Sequence, residues 1–166
     1  MTPVDKDILE GLSRGIQAEL SAYVFYKKAL ELNKDENLHE LLEWLAGEEK
    51  DHYALLEGQY RNLIKSERWV AYNDIMKKEG LPDIDERTED VHDMLIDEVN
   101  EDTTPKRILE IALLLEVRAR DIYQELAEKT SNPEGRETYE YLVRFETGHM
   151  AKIKNHAGKM GIKLAE

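Results

Sequence analysis

Residues 19–52, ELSAYVFYKKALELNKDENLHELLEWLAGEEKDH, are answered ninety-seven positions later by residues 116–149, EVRARDIYQELAEKTSNPEGRETYEYLVRFETGH. Most positions differ between the two stretches. Glu19, however, matches Glu116, Tyr26 matches Tyr123, Glu49 matches Glu146 and His52 matches His149. Each copy reads Glu and then, thirty residues on, Glu-x-x-His. One Glu-x-x-His on a helix is weak evidence of ligation, and one Glu on an apolar seam is usually an ion-pair residue. Two copies at one offset, each with the same upstream Glu, are hard to explain by packing. They read as two metal half-sites that meet.

The residues around these motifs are helical throughout. Leu, Glu, Lys and Ala abound, prolines are few, and apolar residues recur at three-four spacing. Three prolines follow N-cap residues at helix starts: Thr2-Pro3 (with Asp5), Thr104-Pro105 and Asn132-Pro133. A further helix starts after the polar run Asn33–Asn37, and the last one ends near Gly158 or Gly161. Short loops near residues 34 and 131 imply two antiparallel hairpins. The expected architecture is a single all-α domain over 1–166, a four-helix bundle with hairpins over about 3–60 and 105–160. The joining segment, about 61–104, is too long for a turn and suits a partly helical crossover, with a short helix from Thr88 to about Asn100.

Inner seams can be traced along each helix. They run Ile8, Leu12, Gly15, Glu19, Ala22, Tyr26, Ala29 on the first and Leu38, Leu42, Leu45, Glu49, His52, Leu56 on the second. The third gives Leu109, Ala112, Glu116, Ala119, Tyr123, Leu126, and the fourth Tyr139, Leu142, Glu146, His149, Ile153. Each seam is apolar except where Glu, or Glu with His, interrupts it. Within a hairpin the two seam glutamates lie equally far from the turn, roughly 22 Å at about 1.5 Å per residue. The i, i+3 step puts Glu49 with His52, and Glu146 with His149, on one helical face. Four buried carboxylates repel one another and lose hydration; two divalent cations would offset the four charges. Glu48 competes with Glu49 for the inward role, but only Glu49 has His three residues on and a mate at the repeat offset.

The ligand pattern resembles that of ferritin-like di-iron or di-manganese carboxylate proteins, in which two helices give a Glu and two give Glu-x-x-His. Within that group the chain looks most like the rubrerythrin di-iron domain. The resemblance rests on Glu19 and Glu116, each followed seven residues later by Tyr, and on Glu49-Lys-Asp-His52 and Glu146-Thr-Gly-His149. It implies that Glu49 and Glu146 bridge two metals, Glu19 and Glu116 cap one each, and His52 and His149 add one nitrogen each. The implied cofactor is two Fe ions, with Mn possible and Zn as a substitute. The implied chemistry is reduction of peroxide or O2 in oxidative-stress defence, by a peroxidase or related oxidoreductase. Two features depart from the usual rubrerythrin. There is no cysteine to hold a rubredoxin-type iron, so the expected electron donor is a separate rubredoxin-like protein or flavoprotein. Ala119, and its mate Ala22, stand where an extra exchanging glutamate often occurs. The remaining four Glu and two His resemble the bacterioferritin centre.

Composition bounds the alternatives. The formal net charge is −13, from 23 basic and 36 acidic residues, and the basic residues are scattered, so nucleic acid is not an expected partner. No apolar run is long enough for a membrane span, and MTPVDKDILEGL lacks a signal-peptide pattern; a cytoplasmic protein is expected. A homodimer is the expected assembly for this fold class. Tyr26 and Tyr123 are read either as core packing or as hydroxyls serving the site. His39 and His92 carry no partner pattern, His156 reads as a surface histidine, and Trp44 and Trp69 as core or interface. Alternative functions are a ferroxidase or iron-handling protein, a di-iron hydroxylase, and an interaction module with a vestigial site.

Overall fold

The computed structural model describes residues 6–66, 68–78, 80–91 and 93–164. The N-cap assigned to Thr2, Pro3 and Asp5, and the reading of His92, lie outside these residues. Among the described residues there are six α-helices and no strand. Four are long: α1 (Lys6–Leu32), α2 (Glu36–Ser66), α5 (Pro105–Lys129) and α6 (Pro133–Lys159). Between the pairs lie α3 (Tyr72–Met76), a 3-10 turn (Ile84–Asp90) and α4 (Met94–Asp97). The result is a ferritin-like helical bundle.

Two of the helix starts follow their sequence signals. The Thr104 side chain accepts from the backbone N–H of Arg107, and that of Asn132 from Glu134 and Gly135, with Pro in the first turn each time. These contacts satisfy amide donors that a helix start leaves unpaired. At the far end, α6 stops at Lys159, and Gly161 takes the left-handed conformation at φ 70°.

Every residue of the four inner seams is buried except Ile8, which is half-buried. α1 packs closely on α2, α5 on α6, and α1 on α5, whereas α2 and α6 approach each other much less. The pairing of Tyr26 with Glu116 and of Tyr123 with Glu19 makes α1 and α5 antiparallel. Gln59 meeting Thr138, and Asn37 meeting His156, do the same for α2 and α6. The wider α2–α6 face is filled by aromatic rings. Tyr141 stacks on Tyr72 of α3 at 4.1 Å between centroids and leans on Phe145 at 4.5 Å.

The middle of the chain differs from its expected form. α2 continues to Ser66 rather than ending near residue 60, because Leu63 prolongs the apolar seam and is itself buried. The single helix expected over Thr88–Asn100 is absent; two short turns replace it. Asp83 accepts from the N–H of Asp85, and Asp93 from that of Leu95, so each aspartate starts its own turn instead of extending a neighbour's. The segment is moored to the first hairpin. The Tyr23 hydroxyl donates to Asp85, Lys50 Nζ lies 3.1 Å from Asp85, and Lys28 Nζ donates to the Ile96 carbonyl at 2.8 Å.

Candidate metal centre

The seam that buries Leu12 and Leu42 also buries the six ionisable groups of the repeat. Glu19 and Glu146 have no exposed surface, and Glu49, His52, Glu116 and His149 are each 1% exposed. Isolated, such burial would cost several kcal/mol per charge. Clustering turns the cost into a binding site.

Two groups of four form, and two residues belong to both. Glu19, Glu49, His52 and Glu146 offer donor atoms all within 4.8 Å of one another; so do Glu49, Glu116, Glu146 and His149. Glu49 and Glu146 are the shared members. Glu146 spans the two groups, with Oε1 3.3 Å from His52 Nδ1 and Oε2 3.6 Å from His149 Nδ1. His52 Nδ1 also lies 3.7 Å from Glu19, and His149 Nδ1 lies 3.2 Å from Glu116 and 3.6 Å from Glu49. Both imidazoles thus turn Nδ1 toward the carboxylates. The rings lie nearly parallel, 5.5 Å apart and 16° from coplanar orientation.

The donor set fits metal ions by an independent sign. Glu19 Oε2, Glu49 Oε1, both Glu146 oxygens, both His52 nitrogens and His149 Nε2 are buried without a hydrogen-bond partner. Native interiors rarely leave so many polar atoms unsatisfied in one place. Cations between them would satisfy the carboxylate oxygens and imidazole nitrogens together.

Protonation tells the same story. Burial, then the charges of Glu116 and Glu19, push Glu146 well above the usual carboxylate range. Glu116 feels burial most, yet hydrogen bonds from Glu146 and His149 hold it below that range. Burial opposes protonation of His149, but its hydrogen bonds to Glu116 and Glu146 raise it to about 9. His52 is likewise raised by Glu19 against the effect of burial. These directions favour protons on Glu146 and on the two imidazoles, and a cation bound by the same atoms would compete with those protons.

Tyr26 and Tyr123 pack beside the clusters and also donate hydrogen bonds to two of their carboxylates. Tyr26 donates to Glu116 Oε1 at 2.5 Å, and Tyr123 donates to Glu19 Oε1. Each phenol thus holds the glutamate of the other hairpin, which seam tracing had no means to foresee. Tyr123 also donates to the Gly15 carbonyl at 3.2 Å. A Cβ at Gly15 would meet the Tyr123 ring at 2.8 Å, so a glycine is needed there. Burial first, and then Glu116 or Glu19, raises both phenols well above the usual tyrosine range and keeps them protonated donors.

Other expectations divide. Trp69 is buried, whereas Trp44 is 38% exposed and meets the His149 ring in a T-shaped contact, 5.3 Å between centroids. His39 contacts the Asn33 carbonyl and His156 that of Asn37, so both serve helix ends. Ala22 and Ala119 are buried beside the centre and offer no ligand. Sequence reading set Glu48 aside as a rival of Glu49, but the fold brings it near both imidazoles: one donor atom each of Glu48, His52 and His149 lie within 4.8 Å of one another. The missed signal was the i, i+4 step from Glu48 to His52.

The rubrerythrin family model matches residues 10–104. The chain belongs to the rubrerythrin family. That match contains Glu19, Glu49 and His52; the second half of the centre rests on the repeat and on the geometry above. A solved structure of a hypothetical protein from Pyrococcus furiosus is similar along 93% of each chain, with 27% identity and a TM-score of 0.64. No curated protein matches the chain. As a rubrerythrin-family member it carries two buried acidic-histidine clusters suited to a binuclear site. It has no cysteine for a rubredoxin-type iron. No helix among the described residues is long and apolar enough to cross a membrane.

Proposed function

We propose that the protein is a binuclear non-haem iron oxidoreductase that reduces peroxide or dioxygen, with manganese as the alternative metal. The carrying observation is the pair of four-donor clusters sharing Glu49 and Glu146. In this reading Glu49 and Glu146 would be shared between two ions, Glu19 and Glu116 would each serve one, and His52 and His149 would each offer Nδ1. Oxygen-rich, sulfur-free donors suit Fe or Mn, and also admit Zn. A reduced metal pair would supply two electrons to an O–O bond.

The protein's own groups set the conditions. Burial of all six ligands restricts approach to small molecules. The Tyr26 and Tyr123 hydroxyls fix one oxygen of each capping carboxylate and limit how far it swings. Their raised phenols keep a proton at that oxygen while the carboxylates remain acceptors. Electrons come from a separate rubredoxin-like protein or flavoprotein, in keeping with a chain that has no cysteine to hold a rubredoxin-type iron. We place the protein in oxidative-stress defence in the cytoplasm, working as a homodimer.

A second reading has its own support. Ala119 is buried at the position where a seventh carboxylate is common in rubrerythrins. The remaining donors favour a ferroxidase or iron-handling role, with Fe(II) as substrate and O2 as oxidant. A hydroxylase is less well supported: a groove of about 880 Å³ is lined by residues such as Leu113, Val117, Met150 and Ile162, and by none of the six ligands.

The test is rapid mixing of the anaerobically reduced, iron-loaded protein with peroxide and, separately, with O2. Faster oxidation by peroxide is expected. Faster oxidation by O2 would favour the ferroxidase reading, and slow oxidation by both would sink the redox proposal.

A further inference from the structure

Outside the inner clusters, on the α2–α6 face, Glu48 lies half-buried and so in touch with solvent. Its donor atom and one nitrogen each of His52 and His149 lie within 4.8 Å of one another. Nδ1 of both rings is turned to the inner carboxylates, which leaves Nε2 on the far side of each ring. Both Nε2 atoms are buried and without a hydrogen-bond partner, in residues 1% exposed. A carboxylate within 4.8 Å of two histidines, each with a buried Nε2 that has no hydrogen-bond partner, is a cation-sized arrangement. A divalent ion bound to oxygen and nitrogen at about 2.1 Å separates its ligands by roughly 3–4 Å.

The two hairpins differ here. Ninety-seven residues after Glu48 stands Phe145, whose ring packs on His52 in a T-shaped contact, 5.3 Å between centroids. One side of the outer face is therefore sealed by an aromatic ring, and the other carries the carboxylate.

We propose that Glu48, with the outward nitrogens of His52 and His149, forms a transient outer site through which a divalent cation enters the binuclear centre. The ion exchanges part of its water for Glu48 at the half-buried edge and then for the imidazoles. It finally passes to the inner carboxylates, displacing the protons they hold. Glu48 binds during passage and holds nothing once both inner positions are filled. No oxidation is involved, so Co(II) serves as probe.

This inference rests on the reading of the inner clusters as a two-metal centre. The experiment follows Co(II) uptake by metal-free protein, using visible absorbance in a stopped-flow instrument, and equilibrium stoichiometry by dialysis. Glu48→Gln should fill about tenfold more slowly than wild type and still reach two ions per chain. Glu43→Gln, which removes an exposed charge from the same helix, should fill at the wild-type rate. Equal rates for Glu48→Gln and wild type overturn the entry site. So does a final stoichiometry below two in Glu48→Gln, which makes Glu48 a permanent ligand, or equal slowing by Glu43→Gln, which reduces the effect to net charge. Failure of wild type to take up two ions would instead overturn the two-metal reading itself.

Discussion

The α1–α2 and α5–α6 hairpins agree where they face the centre and part company one helical step away. Glu19, Tyr26, Glu49 and His52 of the first do what Glu116, Tyr123, Glu146 and His149 do in the second. Beside them Glu48 corresponds to Phe145, Trp44 to Tyr141, Gly15 to Ala112 and Tyr23 to Arg120. The surroundings account for the differences. Tyr23 reaches Asp85 because the crossover lies over the first hairpin, whereas Arg120 pairs with Asp121. Gly15 makes room for the Tyr123 ring. The clusters repeat the same residue types in both halves, whereas these neighbouring positions answer to their own surroundings.

Equivalence is most exposed at the shared glutamates. A metal present at a thousandfold its dissociation constant stabilises by about 4 kcal/mol. In a chain this long that raises the melting temperature on the order of 10 °C. Glu49→Ala and Glu146→Ala should each abolish that rise, as read by scanning fluorimetry with Mn(II). If one variant keeps it, the two shared glutamates are not equivalent.

A smaller effect marks where the halves diverge. Gly15→Ala forces the Tyr123 ring aside, which overpacks the core by about 1–3 kcal/mol. The gain in helix propensity, about 1 kcal/mol, offsets part of this. Urea unfolding of the metal-free protein should show a net loss; an unchanged midpoint would mean that the ring is not pinned against Gly15.

The smallest comparison separates the phenols. Tyr26→Phe and Tyr123→Phe each remove a hydrogen bond to a buried carboxylate, costing about 1.5–3 kcal/mol at most in metal-free protein. Relief of burial for the neighbouring glutamate, which can take up a proton, brings the expected loss nearer 1 kcal/mol. Tyr123→Phe should be the worse of the two, because the Gly15 carbonyl loses a donor as well. Equal midpoints in parallel urea titrations would assign that extra contact no energetic weight.

The bundle was legible because its causes are local and periodic. Three-four spacing marks the buried faces, and Thr104-Pro105 and Asn132-Pro133 mark two starts. The gathering of Glu19, Glu49, His52, Glu116, Glu146 and His149 was legible from the repeat, since equal distance from a turn is equal height in a hairpin. The crossover was not. Between Asp83 and Asp93 the decisive contacts are side chain to backbone over two residues, and these compete with a helix without leaving a period. The partners of Tyr26 and Tyr123 were hidden for another reason: a seam shows which way a side chain faces, not which of three opposing helices it meets. Glu48 is hidden by the repeat pattern, which marks only Glu49, although the wider α2–α6 face brings both near the histidines.

The crossed phenols bear on what the smallest complete unit of this architecture is. A hairpin standing alone would leave its capping glutamate without a phenol and its phenol without a glutamate. Two hairpins close the set, and it makes no chemical difference whether one chain or two supply them. The twofold pattern is then a condition for finishing either half, and the crossover's part is to keep the second copy permanently at hand.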